Sequence, residues 1–272
     1  MRTGKLRPRL ATVWPLMLGL LTGVAQAPAP PEAERLVLVE LFTSQGCNLC
    51  PEAEQLLGTL AGRNPRVVAI AFHVDYFNDP WQDPYSDRLH SERQMAYHNV
   101  YPKPKPPQHG LYYTPMLMID GAYSVNGRDR PGAEAAIRRE LRRKPAVALR
   151  ASLQIQESPA AGELQVRVAS RSPLAEGRRL LIGAVLRDDG LTNRVLSGEN
   201  ANQTLVARFP ARKTLLDYLT LEGPAEQSLR FTFPLDPAWT TNRLRVAVFA
   251  QDDQSGLIHQ TLDLPWRPTA PP

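Results

Sequence analysis

The chain has 272 residues and a formal net charge of +5, but four of its positive residues (Arg2, Lys5, Arg7, Arg9) lie in an acid-free N-terminal leader, leaving about +1 for the rest. A sequence pI near 9.4 therefore does not argue for nucleic acid or an anionic surface as a partner. No stretch beyond the leader is long and apolar enough to cross a bilayer, so no membrane span is expected after leader removal.

Residues 1–27 read as a signal peptide: basic residues, an apolar run over 10–24 interrupted by Pro15, then Ala25-Gln26-Ala27 as a small-residue cleavage site. The expectation is a periplasmic or secreted protein in a compartment that permits disulfides. A short linker follows at 28–35, and roughly 240 residues remain, enough for one large domain or two ordinary ones.

Residues 36–42 form an apolar, β-favouring run that breaks at Thr43-Ser44-Gln45-Gly46 and passes into a helical pattern through Leu56, Leu57 and Leu60. At that joint stand Cys47 and Cys50, the chain's two cysteines. A Cys-x-x-Cys at a strand-to-helix joint reads as a redox pair. One helical turn can hold both sulfurs within bonding distance. Cys47, at the helix N-terminus, gains thiolate character from unpaired N–H groups and the dipole, which makes it the attacking thiol. Cys50, a turn further in, is the resolving thiol. Pro51 is tolerated because the first turn has no partner for an N–H, and the missing histidine after Cys50 excludes haem attachment. A purely structural disulfide closing so short a loop would add only about 2 kcal/mol.

Residues 67–72 are near-continuously apolar and suit a buried parallel strand beside 36–42, with the cysteine helix as crossover. That strand ends in His73-Val74-Asp75-Tyr76, which makes His73 and Asp75 supporting site candidates, since functional groups gather at the carboxyl ends of strands. An insertion at 76–113 contains a helix opened by Asp83-Pro84 and running to about residue 99, then the extended basic loop Tyr101-Pro-Lys-Pro-Lys-Pro-Pro. His73, His90, His98 and His109 cluster here without the spacing of a helical metal site, so no metal site is expected. Asp120-Gly121 reads as a hairpin turn, and a helix at 131–143 closes the unit.

The words Glu40-Leu-Phe-Thr-Ser-Gln-Gly-Cys47, Cys50-Pro51, Phe72-His-Val-Asp-Tyr76, Glu92-Arg-Gln94, Tyr113-Thr-Pro115 and Asp120-Gly121 occur in order. With these motifs the chain resembles a family of secreted bacterial thioredoxin-like proteins of uncharacterised function. The resemblance implies a thioredoxin fold over 36–144 and three further roles. Pro115 matches the cis-proline that faces the dithiol, Thr114 offers backbone groups to a bound peptide, and Glu40 falls where a buried acid moves protons for the inner cysteine. Asn48-Leu49 departs from the dipeptide of thioredoxins and strong oxidants, which leaves the direction of electron flow open.

After Pro145 the pattern alternates at period two, with strands expected at 147–155, 164–170, 180–186, 229–233, 244–250 and 258–264, and a segment at 205–221 without an assignment. The expected fold class is therefore an α/β thioredoxin-like domain (36–144) followed by an all-β antiparallel sandwich-like domain (145–266) and a tail at 267–272. The expected function is thiol–disulfide exchange on protein or small-thiol disulfides, needing an electron-exchange partner and no cofactor. Two other readings stand beside it. One is a Cu(I)-binding protein in which both thiolates act with His73 or Met116. The other is a redox-inert module that binds partners through its second half.

Overall fold

The computed structural model describes Met1 and residues 34–101, 110–157, 160–171, 178–222 and 226–269. The expected signal peptide and most of the linker and basic proline-rich loop lie outside the described residues. The described residues from 34 onward pack as one compact unit.

Strand β1 (Val37–Thr43) leads into helix α1 (Cys50–Arg63), which returns through β2 (Val67–His73) in parallel register with β1. Helix α2 (Arg88–Asn99) starts later than the sequence suggests, because Asp87 rather than Asp83 caps it by accepting from the Leu89 N–H. Asp83 serves the candidate site instead. The hairpin of β3 (Met116–Ile119) and β4 (Tyr123–Asn126) turns on Asp120 and Gly121, with φ of 49° and 63°. Helix α3 (Arg130–Glu140) begins at Asp129, whose side chain accepts from the Gly132 N–H. These strands form one mixed sheet in the order β2-β1-β3-β4.

The second half contributes β5 (Val147–Glu157), β6 (Ala160–Ser170), β7 (Arg179–Arg187), β8 (Leu191–Arg194), β9 (Thr204–Ala207), β10 (Ala211–Thr220), β11 (Gln227–Pro234), β12 (Arg245–Asp252) and β13 (Ile258–Pro265). They form sheets ordered β10-β7-β12-β13 and β11-β6-β5, and the small hairpin β8-β9.

The expected fold class is overturned. Among the described residues 44% lie in strands, distributed over four sheets, and only 18% are helical, so the chain is mostly β and its first part is not a separate α/β thioredoxin-like domain. The cause is visible in the cores. On one face of the β2-β1-β3-β4 sheet, Val37, Val39 and Leu41 pack against Leu57 of α1 and Ile137 of α3. The other face (Leu38, Phe42, Ile70) packs against Val185, Ala247, Phe249 and Ile258 of the second half, with Tyr97 of α2 in the same cluster. Alternate residues of β7 and β12 turn the opposite way, to a third core shared with Leu153, Val166 and Phe233. The central β7–β12 pair is thus buried on both faces and reads as continuous apolar sequence rather than as an alternation. Gly183 on β7 lies opposite Phe249, whose ring occupies the place of a glycine side chain: a Cβ there would fall 2.1 Å from Phe249 Cζ.

Candidate functional site

The site forms where β1 ends. Thr43 closes the strand, and the next residues turn tightly: the Gly46 N–H donates to Ser44 Oγ (3.0 Å), the Cys47 N–H to the Ser44 carbonyl (3.2 Å) and the Cys50 N–H to the Cys47 carbonyl (3.2 Å). Gly46 leaves room for the Phe77 carbonyl, which would lie 3.1 Å from a Cβ. Helix α1 then starts at Cys50 with Pro51 in its first turn. Both cysteines are buried and are free thiols, with no disulfide between them.

The two thiols differ sharply. The Cys47 pKa is lowered from 9.0 to about 6, first by the hydrogen bond from Cys50, against the opposing effect of burial, and with help from Thr114 and the backbone at Leu49 and Cys50. The Cys50 pKa is pushed well above 9.0, first by burial and then by Cys47 beside it. Each sulfur has its own hydroxyl, Thr114 for Cys47 and Thr43 for Cys50. Both hydroxyls are buried, and neither makes a well-aligned hydrogen bond among the described residues. A pKa near 6 gives about ten thiolates per thiol at pH 7, so Cys47 is ionised while Cys50 holds its proton. The Thr114–Pro115 bond is cis, as the motif implies.

Glu40 is not brought to the cysteines. Successive strand residues point to opposite faces, and Glu40 shares the face of Leu38 and Phe42, where it accepts from Arg93 Nε (2.5 Å) and the Tyr97 hydroxyl (2.7 Å). Arg93 continues to Gln251 Oε1 on β12 (3.1 Å), so this buried network fastens the first sheet to the second half. Asp75 is likewise turned away: its carboxylate accepts from the Ser91 hydroxyl and its N–H donates to Ser91 Oγ, tying the β2 end to α2.

His73 is near the site but does not face the sulfurs. Its Nδ1 lies 2.7 Å from Asp83 Oδ2 and its Nε2 3.3 Å from Glu54 Oε1. Burial opposes charge on the ring, yet Asp83 and then Glu54 overcome it and raise the pKa to about 10. Asp83 Oδ2 also accepts from the Gln45 N–H (2.7 Å), so the imidazolium–carboxylate pair holds the turn before Cys47. With both ring nitrogens set against carboxylates, His73 is not turned toward the thiols, which leaves Met116 as the other ligand that the copper reading names. Among the described residues no group of three or more His, Cys, Asp or Glu side chains has metal-binding geometry.

Several site residues escape the sequence reading. Asn200, in the β8–β9 loop, is buried and donates from Nδ2 to the carbonyls of Gln45 (2.8 Å) and Cys47 (2.9 Å). Its neighbour Glu199 accepts from the Asn48 N–H (2.9 Å), so this loop clasps the cysteine turn from outside. Tyr76 donates to Gln94 Oε1 (3.0 Å), meets the Tyr112 ring in a tilted arrangement with centroids 4.5 Å apart, and is held above the usual tyrosine range by burial, Tyr112 and the two cysteines. Glu54, one turn beyond Cys50 on α1, lines a cavity of about 370 Å³ with Cys50, Ser44, Gln45, Gln55 and Arg208. The glutamates at 52 and 54 look alike in sequence as helix starters. The structure separates them: Glu52 pairs outside with Arg128, whereas Glu54 is buried.

A buried dithiol with one ionised and one protonated sulfur, held by a loop from the opposite half of the chain, defines the class of site. The chain belongs to the DUF1223 family of proteins of unknown function, whose model matches residues 38–251. No curated protein matches the sequence. Among solved structures it is similar to a protein of Agrobacterium tumefaciens, at 21% identity and a TM-score of 0.60, over 88% of this chain and 98% of that one. It is similar also to HBP35 of Porphyromonas gingivalis, at 11% identity and a TM-score of 0.60, over 88% of this chain and 78% of that one. At these identities the likeness concerns the fold alone.

Proposed function

We propose that the chain exchanges thiols with disulfides through Cys47 and Cys50. The supporting observation is the opposite displacement of the two thiol pKa values, with Cys47 at about 6 and Cys50 well above 9. The Cys47 thiolate attacks one sulfur of a substrate disulfide, that S–S bond breaks, and the released thiolate takes a proton from solvent. A mixed disulfide joins Cys47 to the substrate sulfur it attacked, which leaves later as the second thiol. Cys50 loses its proton, attacks Cys47 Sγ and expels the second thiol. The substrate gains two electrons and two protons, and the pair becomes a disulfide that an electron-donating partner dithiol reduces again. Run backwards, the same steps donate a disulfide. The order of basic, apolar and small residues over 1–27 supports an exported compartment for this chemistry.

The test is the reduction potential of the pair, measured by thiol trapping in glutathione and dithiothreitol buffers. A value of about −120 to −270 mV would support exchange, and one below roughly −300 mV would describe a bond that the glutathione pool does not reduce. The Cys50→Ser variant should accumulate Cys47 mixed disulfides with its substrates. A protein that accumulates none would refute the proposal.

A further inference from the structure

Exchange requires that Cys50, buried and protonated, give up its proton at the moment it resolves the mixed disulfide. Glu40 cannot take that proton, because it lies on the opposite face of β1 between Arg93 and Tyr97. The carboxylate that shares a cavity with Cys50 is Glu54. Cys50 and Glu54 are four residues apart on α1, which places them on one face, about 5–6 Å between Cβ atoms. Glu54 is held from two sides. Its Oε2 accepts from the Arg208 N–H at 2.8 Å, its Oε1 lies 3.3 Å from His73 Nε2, and His73 is fixed in turn by Asp83. Oε1 meets His73 as an ion pair and makes no well-aligned hydrogen bond there, so it retains acceptor capacity. The cavity of about 370 Å³ has ample room for a bridging water.

We infer that Glu54, oriented by His73, accepts the Cys50 proton during resolution of the mixed disulfide. The inference rests on the exchange reaction proposed above. The proton passes from Cys50 Sγ, directly or through one water, to Glu54 Oε1. The resulting Cys50 thiolate attacks Cys47 Sγ, the Cys47–substrate S–S bond breaks, and the Cys47–Cys50 bond forms as the substrate thiolate departs. Glu54 returns its proton to solvent through the cavity. The charged and titratable groups facing Glu54 are Cys50 on α1, His73 at the end of β2, Asp83 and Tyr85 in the loop before α2, and Arg208 after β9.

An aryl disulfide with a coloured leaving thiol separates the steps in the full chain. The first equivalent of colour reports attack by Cys47 and the second reports resolution by Cys50. In the unaltered protein, a carboxylate acceptor predicts a second phase varying less than about tenfold from pH 6 to 9. Ionisation of Cys50 without an internal acceptor predicts about tenfold per pH unit, and that result would overturn the inference whether or not any variant folds. Glu54→Gln should leave the first phase within about twofold, slow the second about 100-fold at pH 7, and restore a rise with pH. A second phase unchanged in Glu54→Gln, or slowed equally at every pH, assigns Glu54 a structural role and overturns the inference while exchange stands. Absence of a second equivalent from the unaltered protein removes the exchange reaction itself.

Discussion

Replacing Asn200 with alanine removes the clasp over the cysteine turn without touching either sulfur. The side chain is 2% exposed and donates to the carbonyls of Gln45 and Cys47 at 2.8 and 2.9 Å. Each hydrogen bond is worth a net of about 0.5–1.5 kcal/mol, so Asn200→Ala should cost about 1–3 kcal/mol. The loss falls on the contact between the β8–β9 loop and the turn, so it should favour opening of the loop. Cys47 is 3% exposed in the closed arrangement, and a bulky alkylating reagent reaches it only after such an opening. With a factor of ten for every 1.36 kcal/mol, alkylation should accelerate about 5- to 150-fold at fixed pH.

The assay is the rate of single-site alkylation in the Cys50→Ser background at pH 7.5, with a urea denaturation curve for the same protein. The expected result is a faster rate, a lower midpoint and an unchanged slope. Alkylation within twofold of the parent, beside a midpoint lowered as expected, would show that Cys47 is reached by another route. It would refute the description of the loop as a cover.

Thr114→Val removes the hydroxyl that stabilises the Cys47 thiolate and should raise its pKa by about one unit, read from the pH dependence of thiolate absorbance; an unchanged titration would remove Thr114 from the site. Glu40→Gln should cost about 3–5 kcal/mol, because it leaves the Arg93 guanidinium buried without its carboxylate, yet the Cys47 titration should not move; a shifted titration would return Glu40 to the thiol site. The His73 pKa is raised on folding, so its contribution to stability is present in full below about 6.5 and fades as pH rises toward 10. His73→Gln, made in a cysteine-free background so that thiol titration does not intrude, should therefore be less stable at pH 7 and lose less stability between pH 7 and 10 than its parent, measured by urea midpoints; parallel pH profiles would refute the buried imidazolium. Gly183→Ala should cost about 1–3 kcal/mol by forcing a methyl against the Phe249 ring, checked by thermal unfolding.

Local chemistry made much of the fold legible. The apolar runs of β1, β2, β7 and β12, the Asp120-Gly121 hairpin, and four more strands marked by alternation and turn residues (β5, β6, β11 and β13) are readable in the chain. The segment 205–221 forms a short strand, β9, and a largely part-buried one, β10, whose patterns follow neither period cleanly. The class of the fold was not legible, because it depends on what covers the second face of the first sheet. In sequence β7 and β12 are simply apolar. Only in space does Val185 turn to one core while Ile182 and Ala184 turn to the other, which joins the two halves into one mostly β body. Asp83 misled for a similar reason. Asp-Pro is a good helix opening, but this aspartate is buried against His73 and the Gln45 N–H, and Asp87 caps α2 four residues later.

The acid of the site shows how a motif can place a residue in the chain and misplace it in space. Glu40 is three residues from Thr43, and Thr43 is the β1 residue whose hydroxyl reaches Cys50. In an alternating strand an odd separation puts two side chains on opposite faces. Parity alone therefore assigns Glu40 to the face away from the cysteine helix, once Thr43 is known to face it. On a helix the relevant spacing is three or four, and Cys50 to Glu54 satisfies it. The two glutamates exchange roles accordingly. Glu40 binds the halves of the chain together through Arg93 and Gln251, and Glu54 stands beside the thiol whose proton must leave. A chain that fastens its interior with one buried carboxylate and keeps a second in the cavity it shares with Cys50 can lose either independently. The predicted responses of Glu40→Gln, in stability without a shifted thiol, and of Glu54→Gln, in resolution without slowed attack, are the two halves of that argument.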